Sequence, residues 1–195
     1  MNVISYIFSF LCNQDVSRSF IIGGHVLPFC QRCAGVYIGM GISFVYLLLS
    51  RHYKKGLPPR CIIYTNVASL LMMPIFGFHL VDPGPAWRLW SGLIFGNAIV
   101  FLLVPATSIL WNAGKALDYY TRVSIFWFFA LFAFLNTIPV WFPVLSGFFY
   151  YAVLILAFVG LLCALFCIVA ITLLLIKKLV ISLILKGFAD GYAKS

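Results

Sequence analysis

Long apolar runs, broken by short polar stretches, dominate the pattern along the chain. A helix needs roughly 20 mostly apolar residues to cross a bilayer, within a range of about 17–25. Five runs qualify: Ala34–Ser50, Cys61–Val81, Trp90–Leu110, Val123–Pro139 and Tyr150–Ile176. The last is long enough to predict tilt or extension past the bilayer. The opening run Met1–Cys12 is apolar but too short to cross. It lacks the basic start and small-residue cleavage site of a signal peptide. It reads as a short interfacial or re-entrant helix packed on the bundle. Leu179–Leu185, flanked by Lys177, Lys178 and Lys186, reads as a second surface-lying helix or a continuation of the last span. The pattern predicts an all-α polytopic bundle of about five spans over residues 34–195. A Cys-containing segment, residues 1–33, precedes it.

Composition narrows the class. Of 195 residues, 64% are hydrophobic and 9% charged, whereas soluble domains carry about 25% charged residues. Such a chain cannot coat a globule with a solvated surface. Its 20 Phe, 10 Tyr and 5 Trp also exclude disorder. The net charge is +9, and all four acids are Asp. In so apolar a chain the basic residues read as span flanks that set orientation, not as nucleic-acid contacts. Alternating the loops puts ten of the thirteen Lys and Arg on one side and Arg18, Arg32 and Arg88 on the other. That asymmetry predicts an extracytoplasmic N-terminal segment and a cytoplasmic C-terminus, in a plasma or inner membrane. Trp87, Trp90, Trp111 and Trp141 fall at predicted span ends, where amphipathic rings settle. Gly35/Gly39 and Gly92/Gly96 repeat at the four-residue spacing that lets helices approach closely. Packing within one chain is the simpler reading of those glycines; the oligomeric state is left open.

The unusual polar chemistry gathers on the predicted outer side. Cys12, Asp15, Arg18, His25, Cys30, Arg32 and Cys33 lie in the first segment, and His79, Asp82 and Arg88 in the second loop. Asn97 and Asn136 belong to the predicted outer halves of two spans, with bonding between helices as their commonest role. Cys30 and Cys33 open the first span just after Pro28. A helix N-terminus and the intervening Arg32 both favour thiolate, the form that binds metal or attacks a disulfide. Zinc takes four ligands. Cys12 is a third, His25 the fourth, with Asp15 or His79 behind it. Three readings compete here: a zinc site, a structural or redox-active disulfide, and buried packing thiols. Cys163 and Cys167, one turn apart in the fifth span, read as packing residues. Asp15 with Arg18, and Asp82 with Arg88, read singly as local ion pairs. Together with His79 they also suit a polar pocket for an anionic lipid head group, with His79 or Asp82 as base.

Cys12, then Arg18-Ser19-Phe20, two glycines, and Leu27-Pro28-Phe29-Cys30-Gln31-Arg32-Cys33-Ala34-Gly35-Val36-Tyr37-Ile38-Gly39 form a dense motif. It resembles the membrane protein family designated domain of unknown function 2085. That family carries a Cys-His pair, Arg-Ser-Phe, then Leu-Pro-x-Cys-x-Arg-Cys-x-Gly-x-Tyr-x-Gly. Its later Asp and Arg-x-x-Thr-Gly-x-x-x-Gly are similar to Asp82 and Arg88 through Gly96. The resemblance spans about residues 12–96. Two positions depart from the family: Asn13 replaces the His after the first Cys, and only Pro83–Trp87 separates the Asp from the Arg. The resemblance implies a membrane class and candidate residues, and attaches no activity.

The leading expectation is therefore a multi-pass membrane protein, in contact with lipid, with a zinc site at Cys12, His25, Cys30 and Cys33. Asp15, Arg18, His79, Asp82 and Arg88 surround it or form a polar pocket. The alternatives are a thiol–disulfide oxidoreductase using Cys30 and Cys33, and a lipid-modifying or lipid-binding protein.

Overall fold

The computed structural model describes residues 3–10, 12, 14–51, 58–77, 84–111, 120–142 and 148–192. Six α-helices and one small hairpin appear among them: α1 (Val3–Ser9), β1 (Ser19–Ile22), β2 (His25–Cys30), α2 (Gln31–Leu49), α3 (Arg60–Gly77), α4 (Pro85–Trp111), α5 (Arg122–Trp141) and α6 (Phe148–Tyr192). Four of the helices, α2, α4, α5 and α6, are long and apolar enough to cross a membrane. The apolar part of α3, Arg60–Ile75, is shorter, and the predicted span's last residues, 78–81, lie outside the described set. The helical bundle inferred from the apolar runs is thus observed. The segment after Ile176 continues the last helix rather than forming a separate one. At 1.5 Å rise per residue, the 45 residues of α6 extend about 68 Å.

Glycine decides how the first two long helices meet. A Cβ placed on Gly35 or Gly39 of α2 would overlap the carbonyl oxygens of Leu89 and Leu93 on α4. One on Gly92 or Gly96 of α4 would overlap those of Arg32 and Val36 on α2. The backbones therefore touch directly, which gives small-residue pairs their packing value where no hydrophobic effect separates helix from lipid. The order of these contacts makes α2 and α4 parallel, with their N-termini at one end. Gly160 of α6 sits equally close to Tyr37 and Gly41 of α2. α5 runs the other way along α4: Trp90 bonds Asn136, and further along Phe101 packs on Phe128 with ring centres 4.7 Å apart.

A buried polar ladder crosses the middle of the bundle. Ser43 Oγ on α2 donates to Asn97 Oδ1 on α4 at 2.8 Å, and Asn97 Nδ2 reaches Asn66 Oδ1 on α3 at 3.5 Å. All three side chains are buried. Asn97 lies midway along α4 and bonds between helices, the role its residue type predicted, rather than joining the polar groups at the end where the cysteines lie. Asn66 Nδ2 is buried with no hydrogen-bond partner among the described residues.

The hairpin was not anticipated from the apolar runs. Ser19-Phe20-Ile21-Ile22 and His25–Cys30 flank Gly23-Gly24, whose φ values are +54° and +82°. Both central residues of a type I′ hairpin turn need positive φ, which glycine supplies without a Cβ clash. The register pairs Ile22 with His25 and Ile21 with Val26, then slips so that Ser19 faces Cys30. The expected N-terminal helix is present as α1, and it packs against β2.

Candidate metal centre

Strand β2 ends at Cys30, and α2 starts at Gln31 with Cys30 as its N-cap residue. Cys33 then falls in the first turn, on the side of the N-cap. Strand and helix join without an intervening loop, so this pair is set by secondary structure alone. The third thiol arrives from elsewhere. The turn after α1 brings Cys12 N–H to Phe8 O at 2.9 Å, and Cys12 Sγ accepts the backbone N–H of Cys30 at 3.2 Å. The sulfurs of Cys12, Cys30 and Cys33 lie within 4.8 Å of one another. Among the described residues no other group of three or more Cys, His or acidic side chains converges.

The surroundings favour thiolate at Cys12. Hydrogen bonds from the side chains of Cys30 and Cys33 hold its thiol below the ordinary value, while hydrogen bonding to Cys12 and Cys30, with burial, pushes the Cys33 thiol up. The helix N-terminus of α2 adds partial positive charge at the same place. Cys12 is buried, and Cys30 and Cys33 are half-buried. All six cysteines are free thiols. Zinc–sulfur bonds of about 2.3 Å imply sulfur separations of about 3.8 Å in a tetrahedron. Three sulfurs confined to 4.8 Å fit that donor set without rearrangement of the backbone.

His25 does not join them. It lies at the turn end of β2, five residues from Cys30, so the strand rise of about 3.3 Å per residue carries it roughly 16 Å away. Its ring is exposed and rests against Tyr150 of α6, with centres 5.2 Å apart. Spacing in the sequence suggested a ligand where strand geometry forbids one. Asp15 and Arg18 make the local pair that their spacing implied, Nε to Oδ2 at 3.6 Å. The Ser17 hydroxyl and backbone N–H both donate to Asp15 Oδ1, at 2.7 and 3.0 Å, and hold that carboxyl below its usual range. Arg88 Nη1 donates to Gln31 Oε1 at 3.2 Å, which ties the start of α4 to the first residue of α2. His79 and Asp82 lie outside the described residues. Asn136 bonds Trp90 beside an open groove of about 290 Å³ lined by Ala86, Trp87, Trp90, Asn136 and Pro139.

Sequence reasoning missed two contributors. Gln14 Nε2 donates to Pro28 O at 3.0 Å and so pins the chain after Cys12 to the strand before Cys30. Its φ of +51° marks the sharp turn that makes this possible. The buried rings of Phe8, Phe29 and Tyr37 form the second missed feature. Phe29 adjoins Cys30, and Phe8 and Tyr37 lie four residues from Cys12 and Cys33, but nothing in the sequence marks the three as a unit.

Residues 12–102 match the family described as Predicted membrane protein (DUF2085). The resemblance carried by Cys12 through Gly39 therefore holds, and it includes the whole thiol trio, the hairpin and the α2–α4 glycine contact. An uncharacterized protein of Methanocaldococcus jannaschii is 27% identical over 104 residues, covering 51% of this chain and 65% of its own length. An uncharacterized protein of Methanothermobacter thermautotrophicus is 38% identical over 42 residues, covering 22% of this chain and 38% of its own. The chain spans less than two thirds of each of these relatives. No solved structure matches.

Proposed function

We propose that the protein is a multi-pass membrane protein that binds one zinc ion through Cys12, Cys30 and Cys33. The observation that carries this reading is the convergence of three sulfurs, from three chain segments, within 4.8 Å. Thiolate is a strong zinc ligand, and the hydrogen bonds around Cys12 favour that form there. Three protein ligands leave a fourth position for water, substrate or a further side chain, the arrangement that separates open zinc sites from closed structural ones. The ion would neutralise the clustered thiolates and offer a Lewis acid at the end of the bundle. In this reading the protein segments around it orient the sulfurs, and the aromatic rings beneath exclude water from one side. The strong charge asymmetry supports an extracytoplasmic position for this end of the bundle.

Metal analysis of protein purified without chelator tests the reading. About one zinc per chain is expected, and replacement by cobalt should give the visible absorption of a thiolate-rich tetrahedral site. Chelator-free protein that holds no stoichiometric metal would overturn it. A Cys30–Cys33 disulfide that interconverts with free thiols in membranes would then favour the oxidoreductase reading.

A further inference from the structure

Each of the three cysteines is close in the chain to one of three packed aromatic rings. Phe8 lies one helical turn before Cys12, Phe29 immediately precedes Cys30, and Tyr37 lies one turn after Cys33. The rings pack on one another, with centres 4.9 Å apart for Phe8–Phe29, 5.1 Å for Phe8–Tyr37 and 5.6 Å for Phe29–Tyr37. Phe8 and Phe29 are fully buried and Tyr37 nearly so. The same three segments thus build two trios, one of rings and one of thiols.

Two of these segments are fixed by the fold. β2 is held by its hairpin and runs directly into α2, which is held by the glycine contacts with α4. The third is different. α1 has seven residues, far below the roughly 12–15 at which an isolated helix becomes even marginally stable. Among its described side chains Phe8 is fully buried and Ile7 half-buried, whereas Tyr6, and Phe10 just beyond the helix, are exposed. Phe8 is thus the fully buried ring of the described part of α1, and Cys12, one turn on, is held by its bond to Cys30 and by the Gln14 contact with Pro28.

We propose that α1 is a docking arm that delivers Cys12 as the last ligand, so that metal occupancy and docking of α1 control each other. The proposal rests on the zinc reading of the thiol trio. Coupling of this kind is reciprocal: the factor by which docking raises zinc affinity is the factor by which zinc favours docking. With the arm released, Cys30 and Cys33 remain as a two-thiol site that holds zinc weakly and presents the faces of Phe29 and Tyr37. Zinc availability would then set whether the N-terminal segment is docked or free.

Hydrogen exchange on the full-length protein in detergent tests this, with zinc, after chelation and with zinc restored. The peptide covering residues 3–12 should exchange at least about tenfold faster without zinc, and recover when zinc returns. Peptides from α4 should not change. Zinc affinity, measured by competition with a chromophoric chelator, should fall by about 10–100-fold in Phe8→Ala, the range seen when groups that orient ligands are removed. Phe8→Leu should recover most of that loss, and Phe10→Ala, which removes an exposed ring, should bind as the natural chain does. Zinc bound at one per chain with exchange of residues 3–12 indifferent to it would overturn the arm and leave the zinc reading standing. So would unaltered affinity in Phe8→Ala. Protein that holds no zinc would overturn both. If Phe8→Ala does not fold, the exchange result on the natural chain decides alone.

Discussion

Cys12, Cys30 and Cys33 come together from three chain segments, whereas Cys163 and Cys167 sit on successive turns of one helix. The pair on α6 shares a helix face, and Cys167 is buried. Among the described residues, however, no third ligand-type side chain meets that pair. Two thiols at helical spacing need only a helix. A third needs tertiary structure to bring another segment in, and that is what α1 and the hairpin do. The difference teaches that spacing alone marks possible ligands, and convergence of separate elements marks a site.

The largest effect should come from removing a ligand of the trio. Cys33→Ser should lower bound zinc from about one per chain to a small fraction and weaken affinity beyond the roughly 100-fold seen for groups that only orient ligands. Cys163→Ser with Cys167→Ser should leave it unchanged by the same metal analysis. Equal loss in both variants would erase the distinction.

Next in size is a wedge between α2 and α4. In Gly92→Leu the new side chain meets the carbonyl of Arg32, the residue beside Cys33. Backbone cannot yield as a side chain does, so destabilisation of about 3 kcal/mol is expected, at the upper end of ordinary overpacking. It should appear as a lower melting temperature in detergent together with weaker zinc binding. A stable Gly92→Leu protein with full zinc affinity would mean that the thiol end does not depend on this helix contact.

Asn97→Leu should act more gently. Interhelical hydrogen bonds in membranes are worth about 0.6 kcal/mol on average and up to about 1.7. Losing both bonds of Asn97 should therefore cost about 1–2 kcal/mol in thermal stability and leave zinc binding intact. A fall in zinc affinity as large as that of Gly92→Leu would show the thiol end to be mechanically continuous with the middle of the bundle.

The smallest effect concerns acid. In metal-free protein the Cys12 thiol is depressed far below the ordinary value of about 8.5–9. Stabilisation from that thiolate is fully present above the ordinary value and is lost as pH falls toward the depressed one. Protection of residues 3–12, corrected for intrinsic exchange, should decline steadily as pH falls from 9 to 5. Protection that rises on acidification would contradict a thiolate held by its neighbours.

Much of the fold was legible because hydrophobicity of span length is a local property of the chain. The run Trp90–Leu110 falls within α4, and Val123–Pro139 falls within α5. The glycine pairs also read correctly, since Gly35, Gly39, Gly92 and Gly96 mark one face at four-residue spacing. The hairpin was missed because a search for spans of 17 or more residues passes over strands of four and six. Gly23-Gly24 was the local signal for it. At the site, the three cysteines were identified from residue type and helix-start context, and they do converge. His25 was not decided by such arguments, because direction along a strand only exists once the strand does. The aromatic trio was invisible as a unit, since Phe8, Phe29 and Tyr37 each look like ordinary apolar positions until α1 and β2 fold back.

The ladder of Ser43, Asn97 and Asn66 also limits how this molecule can move. A hydrocarbon interior offers a displaced amide no substitute partner, so sliding α4 by one turn of about 5.4 Å would strand polar atoms on two neighbours at once. The ladder therefore acts as an index pin that fixes helix register at mid-depth. Together with the glycine contacts nearer the thiol end, it sets α2 and α4 in one register along much of their length.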